Sequence, residues 1–302
     1  MTIAPGSLVH LKIPLPRVFI VIAAGVSICQ ASCAETPKEL PATASTVSGL
    51  TLPNLEVFRD KNQLYFVLPE GKPLPISIPL PRLANVVKSI HWISEDKATM
   101  QVKPEPTEWA IELSQPPPAS KWIVVAELDA PVELFHKDLL VRPDKDSGVI
   151  LLPAKYAATL GSKLRFEPQP HKNTVGYWSD EHDTAEWSFQ YSEAGIYEID
   201  ILQGCGKGHG GSKVTLQVSD QSLDFVVEET GHFQNFIWRT LGSVSLQNSN
   251  PDRPSWLKLI PQSKPGGAVM DVRAVRLCPT GSRRTFEPEL VEPKSLPTHL
   301  KN

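Results

Sequence analysis

From Leu202 to Val218 the chain reads LQGCGKGHGGSKVTLQV, with glycine at 204, 206, 208, 210 and 211 and Cys205, Lys207 and His209 set among them. Those residue types admit three chemistries: a phosphate-cradling loop, a Cys/His metal site, or a tight connection between strands. A phosphate loop needs the order G-x-x-x-x-G-K-[ST] and a helix whose N-terminus faces the phosphates. Here no Ser or Thr follows Lys207, and the next segment, KVTLQV, alternates as a strand does. Cys205 and His209 offer two zinc ligands, but no second Cys/His pair at metal spacing follows. What remains is a strand-to-strand connection whose glycines supply positive φ and close backbone approach. Lys207 and His209 read as solvated positions on its rim.

Two other stretches carry groups suited to a polyol. GYWSDEHD sets Tyr177 and Trp178 beside Asp180, Glu181, His182 and Asp183, and TGHFQNF clusters His232, Phe233, Gln234 and Asn235. A pyranose offers an apolar C–H face to an aromatic ring and hydroxyls to carboxylates, amides and imidazoles. Trp178 is open between stacking and core anchoring, and Tyr177 reads as core. Trp187, Phe236 and Trp238 also read as core. The acid pairs Glu181/Asp183 and Glu228/Glu229 are weak candidates for glycoside cleavage, which needs two carboxyls set across the sugar. No G-x-S-x-G elbow occurs anywhere in the chain.

The elements that must position these groups are strands. The 302 residues include 29 prolines, which suit edge strands and turns rather than helices. Net charge is -3, so no basic field argues for nucleic acid. Residues 1–34 read as a signal peptide, with Lys12 and Arg17 ahead of the apolar run VFIVIAAGVSI and small residues before cleavage after Ala34. The run is too short to span a bilayer as a mature helix. Export follows, to periplasm, cell surface or medium, with lipid anchoring through Cys33 as the variant form. Residues 35–49 read as a linker. Residues 50–133 hold short strand-like pieces split by Pro, Gly and charged turns, such as NQLYFVLP and TEWAIELS. Residues 134–148 read as a connector. Residues 149–280 show a strand about every ten residues, including TAEWSFQY, KVTLQV and VMDVRAVRL. Residues 281–302 are poor in apolar side chains and read as a disordered tail. The fold class is all-β: two β-sandwiches in tandem.

An ordered pattern in the second block, VILLPAKYAATLG, NTVGYWSDEHD, AEWSFQYSEAGIYEIDI, TGHFQNF and GGAVMDVRAVRL, resembles the galactose-binding-like jelly rolls, especially carbohydrate-binding modules of secreted glycosidases. The GCGKGHGGS run resembles the corresponding connection in bacterial relatives. More weakly, NQLYFVLPEGKPLPISIP through WIVVAELDAPVEL resembles the β-sandwich that follows the catalytic barrel in secreted α-L-fucosidases. The stretch ahead of Leu50 is far too short for a barrel of about 250 residues. No fucosidase nucleophile or acid therefore carries over, and the expectation is a non-catalytic chain. The resemblance implies a sugar site at one end of the second sandwich, formed by Trp178, His182, Asp183, His232, Phe233, Gln234, Asn235 and Lys264, the last in the loop PQSKPGGAVMD. It implies a carbohydrate partner: a fucose- or galactose-containing glycan or a sulfated polysaccharide. It also raises a structural calcium. Asp271 matches the closing ligand, but Lys155 stands where the opening acid belongs, so an ion pair between the two is the favoured replacement and no cofactor is expected. In an oxidising compartment Cys205 and Cys278 either pair or stay as two buried thiols. An envelope protein-interaction module and a remnant or split-chain α-L-fucosidase-like hydrolase are the competing functions.

Overall fold

The computed structural model describes residues 39–95, 97–116, 122–247 and 254–282. The expected signal peptide and most of the expected tail lie outside the described residues. The strands of the first half are β1 (Ser45–Thr46), β2 (Glu56–Asp60), β3 (Gln63–Val67), β4 (Ser77–Pro81), β5 (Val87–Trp92), β6 (Gln101–Pro104), β7 (Glu108–Glu112) and β8 (Ile123–Leu128). They form a five-stranded sheet in the order β1-β2-β3-β8-β5 and a three-stranded sheet in the order β4-β7-β6. Leu64, Phe66, Ile78, Trp92, Trp109 and Ile111 are buried in its core. The alternation of EWAIEL explains the placing, since Trp109 and Ile111 point inward and Glu108 and Glu112 outward. Strand β4 is an edge strand, and Pro79 and Pro81 fit there because an edge position leaves an N–H unneeded.

The second half contains β9 (Leu140–Val141), β10 (Ile150–Pro153), β11 (Ala158–Leu160), β12 (Arg165–Glu167), β13 (Thr174–Gly176), β14 (Thr184–Phe189), β15 (Gly195–Gly204), β16 (Lys213–Val218), β17 (Gln221–Val226), β18 (Ile237–Leu246), β19 (Ser255–Ser263) and β20 (Asp271–Pro279). One sheet runs β12-β13-β20-β15-β18 with β10 also on β20, and the other runs β11-β14-β19-β16-β17 with β9 on β14. The chain is all-β, with strands in antiparallel sheets of sandwich type. Trp187, expected as core, is fully buried between the sheets, as are Phe189, Ile199, Ile201, Leu216, Leu257 and Val275.

The structure revises two expected boundaries. The stretch read as a linker is docked: β1 pairs with β2 and Val47 is buried. The connector is likewise part of the second sandwich, because β9 pairs in parallel with β14 through Ser188 and Phe189. The halves also share a seam. Arg82 donates to the Ala157 carbonyl at 2.7 Å and stacks 3.8 Å from the Phe135 ring centroid. Burial brings the Arg82 guanidinium down to about 9. Lys155 pairs with Asp129 at 2.7 Å, and the Tyr156 hydroxyl donates to Glu133 at 3.1 Å. No helix among the described residues is long and apolar enough to cross a membrane.

Register places the functional end. Gly204 lies opposite Asp271, Gln203 opposite Ile237, and Lys213 opposite both Val226 and Ser263. The β13–β14, β15–β16, β17–β18 and β19–β20 connections therefore all leave the sandwich at the same end. They are the four segments in which the sequence concentrates its aromatic, imidazole and amide groups.

Candidate functional site

The β13–β14 loop is built on an inversion of the expected aromatic pair. Tyr177 adopts the left-handed backbone region (φ 56°), which breaks the strand alternation after Gly176. As a result Tyr177 is 53% exposed, with its ring over the Arg165 guanidinium at 3.8 Å, while Trp178 is completely buried. Trp178 Nε1 donates to the Asp183 carbonyl at 3.0 Å, and the Trp178 carbonyl accepts from the Val269 amide at 2.8 Å. Trp178 is a core anchor and cannot stack on a sugar. Asp183 is corrected with it. Its carboxylate accepts from the Ser162, Lys163 and Leu164 amides at 2.7–2.8 Å and is buried beneath them. Those amides take its lone pairs, so Asp183 ties the β11–β12 turn to the loop rather than meeting ligand. Gly161 makes this possible, since a Cβ there would collide with the Asp183 carboxylate. His182 is exposed and its Nδ1 lies 3.0 Å from Asp180, where it closes the tip of its own loop.

The other three connections converge. Thr230 and Cys205 exchange backbone and hydroxyl hydrogen bonds, which lays the β17–β18 segment along the glycine-rich loop. Phe233 packs so close to this loop that a Cβ on Gly206 would come within 2.7 Å of its Cε2, and one on Gly204 would strike its carbonyl. His209 meets the Phe233 ring edge-on, with centroids 5.1 Å apart. On its other side His209 contacts Gly266 and Gly267 of the β19–β20 loop, where a Cβ would approach to 2.8 and 3.0 Å. The glycines are therefore what let three loops close around one imidazole–phenyl pair. Lys264 sits in the same β19–β20 loop, half-buried, with its ammonium 2.9 Å from the Gly266 carbonyl. His232 accepts the Gln234 amide through Nδ1 at 3.1 Å, and the Asn235 side chain donates to the Thr230 carbonyl. His209, read from the sequence as a rim position, is thus central to the cluster. The signal for it lay in pairing the two glycine runs, GKGHGG and PGGA, which sequence spacing does not connect.

Gln234 bridges this cluster to a buried charged group. Its side-chain amide donates to Asp271 at 3.4 Å. Asp271 lies beside Glu167, both carboxylates facing the Cα of Gly176, and Lys172 bonds Glu167 at 2.6 Å. Burial, then the Glu167 charge, raises the Asp271 carboxyl well above the usual carboxylate range, against the pull of Lys172, Gln234 and Arg273. The expected Lys155–Asp271 pair does not form, because Lys155 is held by Asp129 in the seam. Calcium takes six to eight oxygens. With an ammonium bonded to one of the two carboxylates, the residues present do not fit it. Among the described residues no group of three or more His, Cys, Asp or Glu side chains is placed to hold a metal.

Of the two readings left open for Cys205 and Cys278, the structure has the buried thiols. Cys205 follows the end of β15 beside Asp271, whereas Cys278 pairs opposite Glu198 near the start of that strand. Seven residues of extended chain separate these levels, about 23 Å, and the two thiols are not bridged to each other. Burial, with the charges of Glu229 and Asp271, pushes the Cys205 thiol up to about 11. Members of the candidate acid pairs are engaged elsewhere, Asp183 by the amides of the β11–β12 turn. Glu228 pairs with Arg239, and Glu229 accepts the Gly208 amide at 2.7 Å.

No family model matches the chain. No curated protein matches it either. Among solved structures, the α-L-fucosidase from Vibrio sp. strain EJY3 aligns at 15% identity and TM-score 0.32, over 78% of this chain and 42% of the fucosidase. This chain therefore spans less than half of that enzyme. A family 35 carbohydrate binding module from Clostridium thermocellum aligns at 14% identity and TM-score 0.32, over 43% of this chain and 96% of the module. The CBM35 from Cellvibrio japonicus Abf62 does so at 12% and 0.34, over 43% and 91%.

Proposed function

We propose that this is an exported, non-catalytic protein whose second sandwich binds carbohydrate at the end where its four loops converge. The observation that carries the reading is the Phe233–His209 pair, set against glycine backbone and ringed by His232, Gln234, Asn235 and Lys264. Phe233 is only partly buried in this packing, and the part of its ring open to solvent can meet a pyranose C–H face. The surrounding imidazoles and amides supply donors and acceptors for its hydroxyls. Tyr177, exposed beyond the Asp271–Gln234 link, offers a second stacking face. One or two stacked rings with desolvated hydroxyl contacts predict weak single-site affinity. Fucose- or galactose-containing and sulfated glycans are the classes to present first.

The test is a glycan array probed with the mature full-length chain. The expected result is a saccharide signal that Phe233→Ala reduces at least tenfold and that Trp256→Ala, on a strand at a distance from this end, leaves within twofold. A chain that binds no glycan, or one whose signal ignores Phe233→Ala, overturns the reading.

A further inference from the structure

The first sandwich reaches the candidate site through β12. That strand is hydrogen-bonded into the second sandwich, with Arg165 opposite Gly176. Its side chains and its exit nevertheless pack on the first. Phe166 is buried against Trp109 of β7, with ring centroids 6.1 Å apart. Just past the strand, the Pro168 carbonyl accepts from the Val87 amide at 2.9 Å, and the Gln169 side chain donates to the Val102 carbonyl at 3.0 Å. At the start of the strand, Arg165 Nη1 lies 3.6 Å from Glu105 Oε2 in the β6–β7 turn. The first sandwich therefore holds β12 at both ends and in its middle.

Arg165 carries this hold to the site. Its guanidinium lies 3.8 Å from the centroid of the Tyr177 ring. Its Nε is buried without a hydrogen-bond partner. Among the described residues the guanidinium is thus aimed by two contacts, the Glu105 carboxylate on one side and the Tyr177 ring on the other. Tyr177 needs such support. It keeps a φ of 56°, which a bulky L-residue holds only where its surroundings over-determine it, and more than half of its surface is open to solvent. Its neighbour Gly176 faces Asp271, which Gln234 bonds in turn, so the ring stands on the flank of the end-loop site toward the first sandwich. With one face covered by the guanidinium, the other is the face left for a pyranose.

We propose that the first sandwich is part of the recognition site. Glu105 and Arg165 are positioning residues that fix the plane of the Tyr177 ring, so the tandem, and not the second sandwich alone, is the saccharide-binding unit. The proposal rests on the carbohydrate reading for the ligand, but the hold on Tyr177 rests on contacts across the seam. An aromatic ring that must be immobilised on binding gives up part of its contact energy as lost side-chain freedom, whereas a ring already held does not. Glu105 supplies that hold from the other sandwich without having to touch the saccharide.

The experiment is a double-mutant cycle on the mature full-length chain. Affinity is measured for the strongest-binding saccharide of the glycan array, beside NMR of the Arg165 side chain, whose resonances lie in the ring current of Tyr177. Glu105→Gln keeps the size of the side chain and removes its charge. It should weaken binding about two- to fivefold, the scale of a partly exposed ion pair, and shift the Arg165 resonances. In a Tyr177→Ala background the same substitution should cost no further affinity, whereas a merely structural role would cost as much there. An affinity that Glu105→Gln leaves unchanged, or a loss equally large in the Tyr177→Ala background, overturns the proposal. A wild-type chain that binds no saccharide overturns the carbohydrate reading. In that case Arg165 resonances that move in Glu105→Gln uphold the hold on Tyr177, and resonances that stay fixed overturn it as well.

Discussion

The β13–β14 loop and the glycine-rich β15–β16 loop leave the same end of the same sandwich, yet their sequences advertise the opposite of what they do. The first displays aromatic and acidic groups, and most of them turn inward: Trp178 into the core and the Asp183 carboxylate onto three backbone amides. The second displays little beyond glycine, and that emptiness brings Phe233 and His209 together in one cluster. Side-chain chemistry in a loop is available only after the loop has satisfied its own backbone. The acidic loop uses its best groups for that purpose. The glycine-rich loop takes Thr230 and Glu229 for its amides, and leaves Phe233 and His209 packed on each other.

The largest effects should come from the inward-facing groups. Asp183→Ala leaves three backbone amides, that of Leu164 buried, without their acceptor, and Trp178→Ala empties a fully buried site. Each should destabilise the fold by about 3–5 kcal/mol, read by chemical denaturation, with binding retained in whatever fraction stays folded. A Trp178→Ala protein that melts like wild type but binds nothing would return Trp178 to the ligand surface and reverse the comparison. Next in size is Gly206→Val. The added side chain meets the Phe233 ring, so a cost of about 1–3 kcal/mol is expected from overpacking, together with lost glycan binding. Unchanged stability and binding would mean the close approach of the two loops is incidental.

How far the sequence reveals this divides along physical lines. Strands such as KVTLQV and EWAIEL were legible because alternation is local and one face is buried. The placing of Phe233, Gln234 and Lys264 at one end came from the family resemblance and not from any local pattern. The Tyr177/Trp178 assignment was not legible, because it hinges on one residue adopting positive φ, which reverses which ring faces the core. Lys155 was assigned to Asp271 for want of the seam, since its partner Asp129 lies in the other sandwich. His209 stayed hidden because its contacts come from Phe233 and Gly266, far away in sequence. Residues whose role is set by tertiary contact carry no periodic mark.

A smaller effect separates the buried carboxylates. Asp271 has a folded-state carboxyl raised by burial and by Glu167, so above that value its charge costs stability, and the cost is relieved as pH falls through it. Asp271→Asn should therefore stabilise the protein at pH 7, by about 1 kcal/mol or a melting shift of about 2–4 °C, with the gain shrinking toward pH 4. Loss of stability at pH 7 would show that Lys172 and Gln234 more than compensate the charge. The smallest expected effect is the sharpest for the comparison. Tyr177 is more than half exposed and its ring lies over the Arg165 guanidinium. An exposed cation–π contact is worth about 0.5–1 kcal/mol, so Tyr177→Ala should barely move the denaturation midpoint. If the acidic loop keeps one group for ligand, that group is Tyr177, and the same variant should weaken saccharide binding severalfold. A variant neutral in both measurements would confine recognition to the glycine-rich side, with the whole β13–β14 loop serving only to hold the end of the sandwich closed.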